Sequence, residues 1–259
     1  MSFAIIETGG KQYKVSASNI LKVGIIQGPQ SKVMKVAEKL AQSRYHLHIQ
    51  TIAFEDYVLP NTALENGDID VNMFQHKPFL QAQIKKRGYD LVPIARTFVF
   101  PMGLYSKKIK HIEQLADHAI VSIPNDPSNE GRALMLLEKA HLIKLKKGTG
   151  ILGTLSDIIA NPKDLQFKLL SAPEVAHALE DVDLGAINND YLALAHLKAN
   201  DALLQEDGSV PYANIIVARR KNAQDPRLKT LIKIMHSREV VAEVHKIYPH
   251  GGAIAAWGQ

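Results

Sequence analysis

The sequence predicts an α/β protein of two lobes joined by two crossing segments, and three observations carry that expectation. Short strand-like runs alternate with helical segments over residues 21–94, a second alternating series occupies residues 119–191, and two extended apolar stretches marked by proline lie at 98–103 and 212–218. A chain of 259 residues suits one large domain or two modest lobes. With 46% apolar and 22% charged residues it can bury an ordinary core, which excludes disorder as its overall state.

In the first series Leu21-Lys22-Val23-Gly24-Ile25-Ile26 reads as a strand, and Val33, Val36, Ala37 and Leu40 follow at helical spacing. The cycle repeats as a strand over 46–52, a helix to about Glu65 that Gly67 stops, a strand over 69–73, a helix through Lys86 and a strand over 91–94. In the second series 119–123 reads as a strand and 128–140 as a helix. Apolar segments follow at 167–170, 175–179 and 184–187, the last leading into a helix at Tyr191. This βαβα order predicts largely parallel sheets with helices on their faces.

The two proline-marked stretches read as crossings. If the chain leaves the first lobe near residue 100 and returns near 211, two final helices rejoin the first lobe. Lobe 1 is then 19–99 plus 212–259, and lobe 2 is 100–211. Open α/β sheets bind ligands at strand carboxyl ends, which places the expected site in the cleft between the lobes. No internal repeat or low-complexity tract is present.

Composition removes several chemistries. The chain has no cysteine, so it has no disulfide framework, thiolate zinc site, iron–sulfur cluster or cysteine nucleophile. No apolar stretch approaches the roughly 18–20 residues of a bilayer-spanning helix. Lys and Arg number 31 against 26 Asp and Glu, but the basic residues are dispersed and the densest cluster, Lys144 to Lys147, is short. A solvated basic surface is the expectation, with no nucleic-acid partner.

The opening run Ala4-Ile5-Ile6-Glu7-Thr8-Gly9-Gly10-Lys11-Gln12-Tyr13-Lys14-Val15 is similar to the start of a ribosomal large-subunit protein, whereas nothing downstream is. Residues 1–18 are accordingly read as an added leader in the place of a signal peptide, with the natural polypeptide starting near Asn19. Removing Glu7, Lys11 and Lys14, a net of +1, takes the charge from +5 to +4 and leaves the basic balance intact.

The most informative segment is Ile123-Pro124-Asn125-Asp126-Pro127-Ser128-Asn129-Glu130-Gly131-Arg132, between a strand and an apolar helix. Asp126 suits the N-cap and Pro127 the first helical position. Free N–H groups at the helix start favour an anion, and Asn129 and Arg132, three apart, share a helix face. Arg132 could hold a carboxylate bidentately while Asn129 adds a directional bond; a plain capped helix with an exposed arginine fits the same residues.

In Phe74-Gln75-His76-Lys77-Pro78, Phe74 and His76 share strand parity at a strand's carboxyl end, where they could wall a pocket for an uncharged, polarisable side chain such as a thioether. Core packing explains them equally. Tyr57 could add a further aromatic wall. Asn188, in Asn188-Asn189-Asp190-Tyr191, and Asn214, in Pro211-Tyr212-Ala213-Asn214, could bind an amino or carboxylate group, although each alone also suits a cap or turn.

Taken in order, these motifs resemble one family. Phe54-Glu55-Asp56-Tyr57-Val58-Leu59-Pro60-Asn61, Gly67-Asp68-Ile69-Asp70, Phe74-Gln75-His76-Lys77-Pro78, Tyr105-Ser106-Lys107-Lys108-Ile109-Lys110 and Pro124 through Arg132 are similar to the methionine-binding lipoproteins of the MetQ, or NlpA, family. The similarity continues through Leu142-Ile143-Lys144-Leu145-Lys146, Asn161-Pro162-Lys163, Ala186-Ile187-Asn188 and Pro211-Tyr212-Ala213-Asn214, and covers about 21–257.

The resemblance implies a two-lobed periplasmic-binding-protein (type II) fold and a monomer that binds L-methionine or a close derivative. It implies delivery of that ligand to an ABC permease with its ATPase. It also implies a periplasmic or cell-surface protein held to the membrane by an N-terminal lipid anchor, for which no cysteine is present here. By matching motif, Arg132 and Asn129 would hold the ligand carboxylate, Asn188 and Asn214 its amino end, and Tyr57, Phe74 and His76 would enclose the thioether. Met73 stands where the family commonly has a smaller residue, which leaves another amino acid or a methionine-containing dipeptide as the alternative ligand.

Two other classes are weighed against this. An enzyme of two-lobed α/β fold would need catalytic motifs, and no Gly-x-Ser-x-Gly elbow, Gly-x-x-x-x-Gly-Lys phosphate loop or His-Glu-x-x-His zinc helix occurs. His46 and His48 could share a strand face but have no evident third ligand, so neither a metal nor a cofactor is expected. A regulatory effector domain would follow DNA-binding helices, and no helix-turn-helix pattern is read before Leu21.

Overall fold

The computed structural model describes residues 3–8, 11–16, 20–208, 211–249 and 251–258. In chain order the strands and helices are β1 (Phe3–Thr8), β2 (Lys11–Ser16), β3 (Ile20–Ile26), α1 (Gln30–Tyr45), β4 (His48–Phe54), α2 (Leu59–Asn66), β5 (Val71–His76), α3 (Lys77–Arg87), β6 (Leu91–Val99) and β7 (Gly103–Tyr105). Then come β8 (Ile120–Pro124), α4 (Pro127–Lys139), β9 (Lys144–Leu145), β10 (Ile158–Ala160), β11 (Gln166–Leu170), α5 (Ala172–His177), β12 (Leu184–Ile187), β13 (Leu204–Gln205), β14 (Ala213–Arg219), α6 (Pro226–Met235), α7 (Arg238–Ile247) and β15 (Ile254–Ala255). Of the segment read as a leader, β1 and β2 pair antiparallel with each other, and the rest lies outside the described residues.

Two sheets form the two lobes. The larger runs β15-β6-β14-β5-β3-β4 and the smaller β11-β8-β12-β7-β13. In each, the strands joined by helical crossovers are parallel: β3 with β4 and β5, and β8 with β11 and β12. The remaining pairs are antiparallel, so the expectation of largely parallel sheets holds only for part of each. The reason is directional, since β6 carries the chain out of the large sheet and β14 carries it back, and the two must run opposite ways. Strand β6 also continues five residues past the expected end, to Val99, because its pairing with β14 occupies the whole stretch. The expected helix at Tyr191 is a 3-10 run over Asn189–Ala195, and 175–179 ends α5 and enters a 3-10 turn.

Alternating burial follows from the pattern that predicted the strands. Leu21, Val23 and Ile25 of β3 pack with Val33 and Ala37 of α1, Leu231 of α6 and Val244 of α7 in the core of the larger lobe. Val121, Ile123, Leu134, Leu137 and Leu184 build the smaller core. A third apolar cluster spans both sheets and includes Ile26, Phe74 and Phe79 with Tyr105, Val175, Ile187 and Tyr191. It backs the cleft and fixes the strand ends on either side of it.

The helix starts follow their caps. Asp126 accepts from the Asn129 N–H at the start of α4, with Pro127 in the first turn, and Gly67 ends α2 in the left-handed conformation at φ +90°. Gly131 is required for a different reason, close packing. A Cβ there would lie 2.5 Å from the Ile151 carbonyl oxygen and 2.8 Å from the Gly153 nitrogen, both backbone atoms that cannot swing away. Gly131→Ala is expected to cost about 1–3 kcal/mol of stability in urea unfolding by overpacking. It should also displace Asn129 and Arg132 on the same helical turn; an unchanged midpoint would contradict the packing account.

Candidate functional site

Strand β5 stays extended to its last residue, so Phe74 and His76 project to one side as the parity argument required. Across the cleft, α4 presents Asn129 and Arg132, and the end of β12 presents Asn188. Strand β14 lies beside β5 with Asn214 directly opposite His76. All seven expected residues, Tyr57, Phe74, His76, Asn129, Arg132, Asn188 and Asn214, line one cavity. Gln75, Phe79, Phe100, Asn189 and Asp190 line it too.

One end is aromatic. Tyr57 and Phe74 have ring centroids 5.7 Å apart, Phe79 stands edge-on to Phe74 at 5.8 Å, and Tyr191 lies 5.2 Å behind Tyr57. Such a cage offers ring faces and edges to an apolar or thioether group. Phe79 escaped the sequence reading although it directly follows Phe74-Gln75-His76-Lys77-Pro78, and the Pro78 helix start is the signal that could have found it.

The other end is a chain of amides. His76 Nδ1 accepts from the Phe79 N–H at 3.2 Å, which puts the ring proton on Nε2, 3.3 Å from Asn129 Oδ1. Burial, reinforced by the Arg132 charge, pulls the His76 pKa down to about 3, so the ring is neutral at physiological pH. Asn129 Oδ1 also accepts from Asn188 Nδ2 at 3.0 Å, and Asn129 Nδ2 donates to Asp126 Oδ2 at 2.8 Å. This leaves Asn188 Oδ1 buried without a hydrogen-bond partner, an acceptor facing a cavity that holds room for a donor. Asn214 Nδ2 donates to the Phe74 carbonyl at 3.3 Å.

Two expectations need correction. The start of α4 offers no open anion site, because the Asp126 carboxylate already takes the Asn129 N–H at 3.0 Å and the Ser128 hydroxyl at 2.8 Å. The guanidinium fork of Arg132 is likewise taken: Nε donates to Glu206 Oε1 at 2.7 Å and Nη2 to Glu206 Oε2 at 2.6 Å and the Phe100 carbonyl at 3.0 Å. The Tyr212 ring lies 4.4 Å from the guanidinium carbon. A bidentate grip on a ligand through that edge is thus closed, and Nη1 is the nitrogen left for a ligand. Glu206 could not be read from the sequence, since it stands 74 residues from Arg132 in an unremarkable acidic loop. Its carboxylate also accepts from the Met102 N–H at 2.8 Å, and its own N–H donates to the Met102 carbonyl at 3.0 Å, so one residue ties the first crossing to the cavity wall.

Asp190 was legible only as part of the Asn188-Asn189-Asp190-Tyr191 motif. Tyr57 Oη donates to its Oδ2 at 2.8 Å, and burial raises its pKa to about 6 against the lowering effects of that bond and of Arg132. Among the described residues no group of His, Cys, Asp and Glu is arranged to hold a metal ion, and no helix is long and apolar enough to cross a membrane.

The profile of the NlpA lipoprotein family matches residues 21–257. The chain belongs to this family. Among its NlpA relatives, the D-methionine-binding lipoprotein MetQ of Salmonella typhimurium is 46% identical over 242 residues, 92% of this chain and 89% of that protein. The protein of the same name from Escherichia coli K12 is 45% identical over an equal span. The crystal structure of the methionine binding protein MetQ superposes with a TM-score of 0.91 at 44% identity, covering 93% of this chain and all of the other. A nutrient binding protein from Burkholderia cenocepacia bound to methionine superposes with a TM-score of 0.88 at 42% identity, over 92% of this chain and all of that one. The NlpA fold is therefore the two-lobed substrate-binding architecture that the sequence predicted.

Proposed function

We propose that this chain is the solute-binding protein of an ABC importer, that it takes methionine in the interlobe cleft, and that it presents it to a permease driven by an ATPase. The carrying observation is the cavity's division into an aromatic end and an amide end with the unpartnered acceptor Asn188 Oδ1 between the lobes. Tyr57, Phe74 and His76, with Phe79, would enclose the thioether. Asn188 and Asn214 would meet the amino end, and Asn129 with Arg132 Nη1 the carboxylate. The lobes carrying these groups would be 19–99 with 212–259, and 100–211. The relative bound to methionine supports the ligand, and the relatives named lipoproteins support a lipid-anchored periplasmic or cell-surface location. The protein would act as a monomer and would make or break no bond.

Calorimetric titration of L- and D-methionine into protein that has been unfolded, dialysed and refolded tests this reading. Saturable one-to-one binding of at least one enantiomer is expected. No heat from either, with refolding verified by circular dichroism, would remove methionine as the ligand.

A further inference from the structure

The ionisable groups lining the cavity are not balanced. His76 is neutral, and the charge of Arg132 is taken up by Glu206 through two hydrogen bonds, with side chains 3% and 14% exposed. Asp190 remains. Its side chain receives one hydrogen bond, from the neutral phenol of Tyr57, and that hydroxyl comes from the opposite lobe. The hydroxyls of Tyr191 and Tyr248, whose charges would couple to that of Asp190, are buried without partners. This half-buried carboxylate has no hydrogen-bonded cation, and a charge partly withdrawn from water is costly unless paired.

We propose that Asp190 is a specificity-determining residue, the counter-charge for the ligand's α-ammonium group, so that the cavity selects an amino group over a hydroxyl at that position. This rests on the reading that the ligand is methionine. In an amino acid the ammonium is the group that completes the account: the carboxylate meets Arg132 Nη1 and the amides, and the ammonium neutralises Asp190 while donating to Asn188 Oδ1. The same arrangement opposes closure on an empty cleft, because enclosing Asp190 without an ammonium leaves its charge with the Tyr57 hydroxyl alone. The amide residues supply hydrogen bonds but no charge, and either a hydroxyl or an ammonium could satisfy Asn188. Discrimination between the two falls to the carboxylate.

The test compares L-methionine with 2-hydroxy-4-(methylthio)butanoate, which replaces the ammonium by a hydroxyl, in calorimetric titrations of the full chain and of Asp190→Asn. The wild type should bind methionine more tightly. Asp190→Asn should weaken methionine binding about 10- to 150-fold and the hydroxy acid less than about threefold, the range set by losing a hydrogen bond between charged groups. Equal weakening of both ligands, or an unchanged preference, would overturn the proposal, since a merely structural role moves both together. Should Asp190→Asn fail to fold by circular dichroism, Asp190→Ser carries the same comparison. Independently of any variant, a wild type that binds the hydroxy acid as tightly as methionine overturns it. A wild type that binds neither enantiomer of methionine would instead refute the reading on which the proposal rests, and the proposal with it.

Discussion

Arg132→Ala is expected to weaken methionine binding beyond calorimetric detection and to cost the fold about 3–5 kcal/mol, the penalty for leaving one member of a buried ion pair uncompensated. Both effects come from one side chain because Arg132 has two jobs on its two edges. Its Nε and Nη2 neutralise Glu206 and hold the Phe100 carbonyl at the first crossing, and its Nη1 is the nitrogen available to a ligand. Removing it strands the Glu206 carboxylate, whose remaining hydrogen bond comes from the Met102 N–H. The two roles separate in a double variant, Arg132→Met with Glu206→Leu. Replacing both charges by apolar groups should recover most of the lost stability and none of the binding. Urea unfolding and titration of the two variants check this, and an Arg132→Ala protein with wild-type midpoint and affinity would refute the assignment.

Phe74→Ala should produce a loss of comparable size by a different mechanism. Phe74 is 3% exposed and packs between Tyr57 and Phe79, so truncation removes apolar contact and leaves a void beneath the cavity wall. Phe-to-Ala changes at such sites cost about 3–5 kcal/mol, and Phe74→Leu should recover part of that by refilling the volume. Methionine affinity should fall in the same order, Ala below Leu below wild type, because the thioether loses a ring to pack against. An Ala variant that retains full affinity while losing stability would place Phe74 in the core and outside the ligand's reach.

Local signals explain why so much of the site could be read early. Phe74 and His76 alternate with Gln75, and that parity survives folding because β5 remains extended up to the His76 cap of α3. Asn129 and Arg132 share a helix face because Asp126 and Pro127 fix where α4 begins. Gln75, by contrast, gave no signal, and it is held by a buried network in which Asn61 Nδ2 donates to its Oε1 at 2.9 Å and its Nε2 donates to Asn72 Oδ1 at 3.0 Å. Three amides separated in sequence become one unit only when α2 packs on β5, and no spacing rule announces it.

What chain order and residue pattern settle here is local: strand and helix placement, the caps at Gly67 and Asp126, and the alternation that aims Phe74 and His76 together. Those depend on interactions within a few residues, whose geometry is the same wherever the segment lies in the fold. The direction of β14, the capture of Arg132 by Glu206 and the contact of Asp190 with Tyr57 depend on segments 74 to 140 residues apart meeting in space, the last of them across the cleft. Electrostatic partnership falls off with distance in space and takes no account of distance along the chain. Which residues could touch the ligand was therefore written locally, and which charge each would have left to offer was decided only when segments distant along the chain came together.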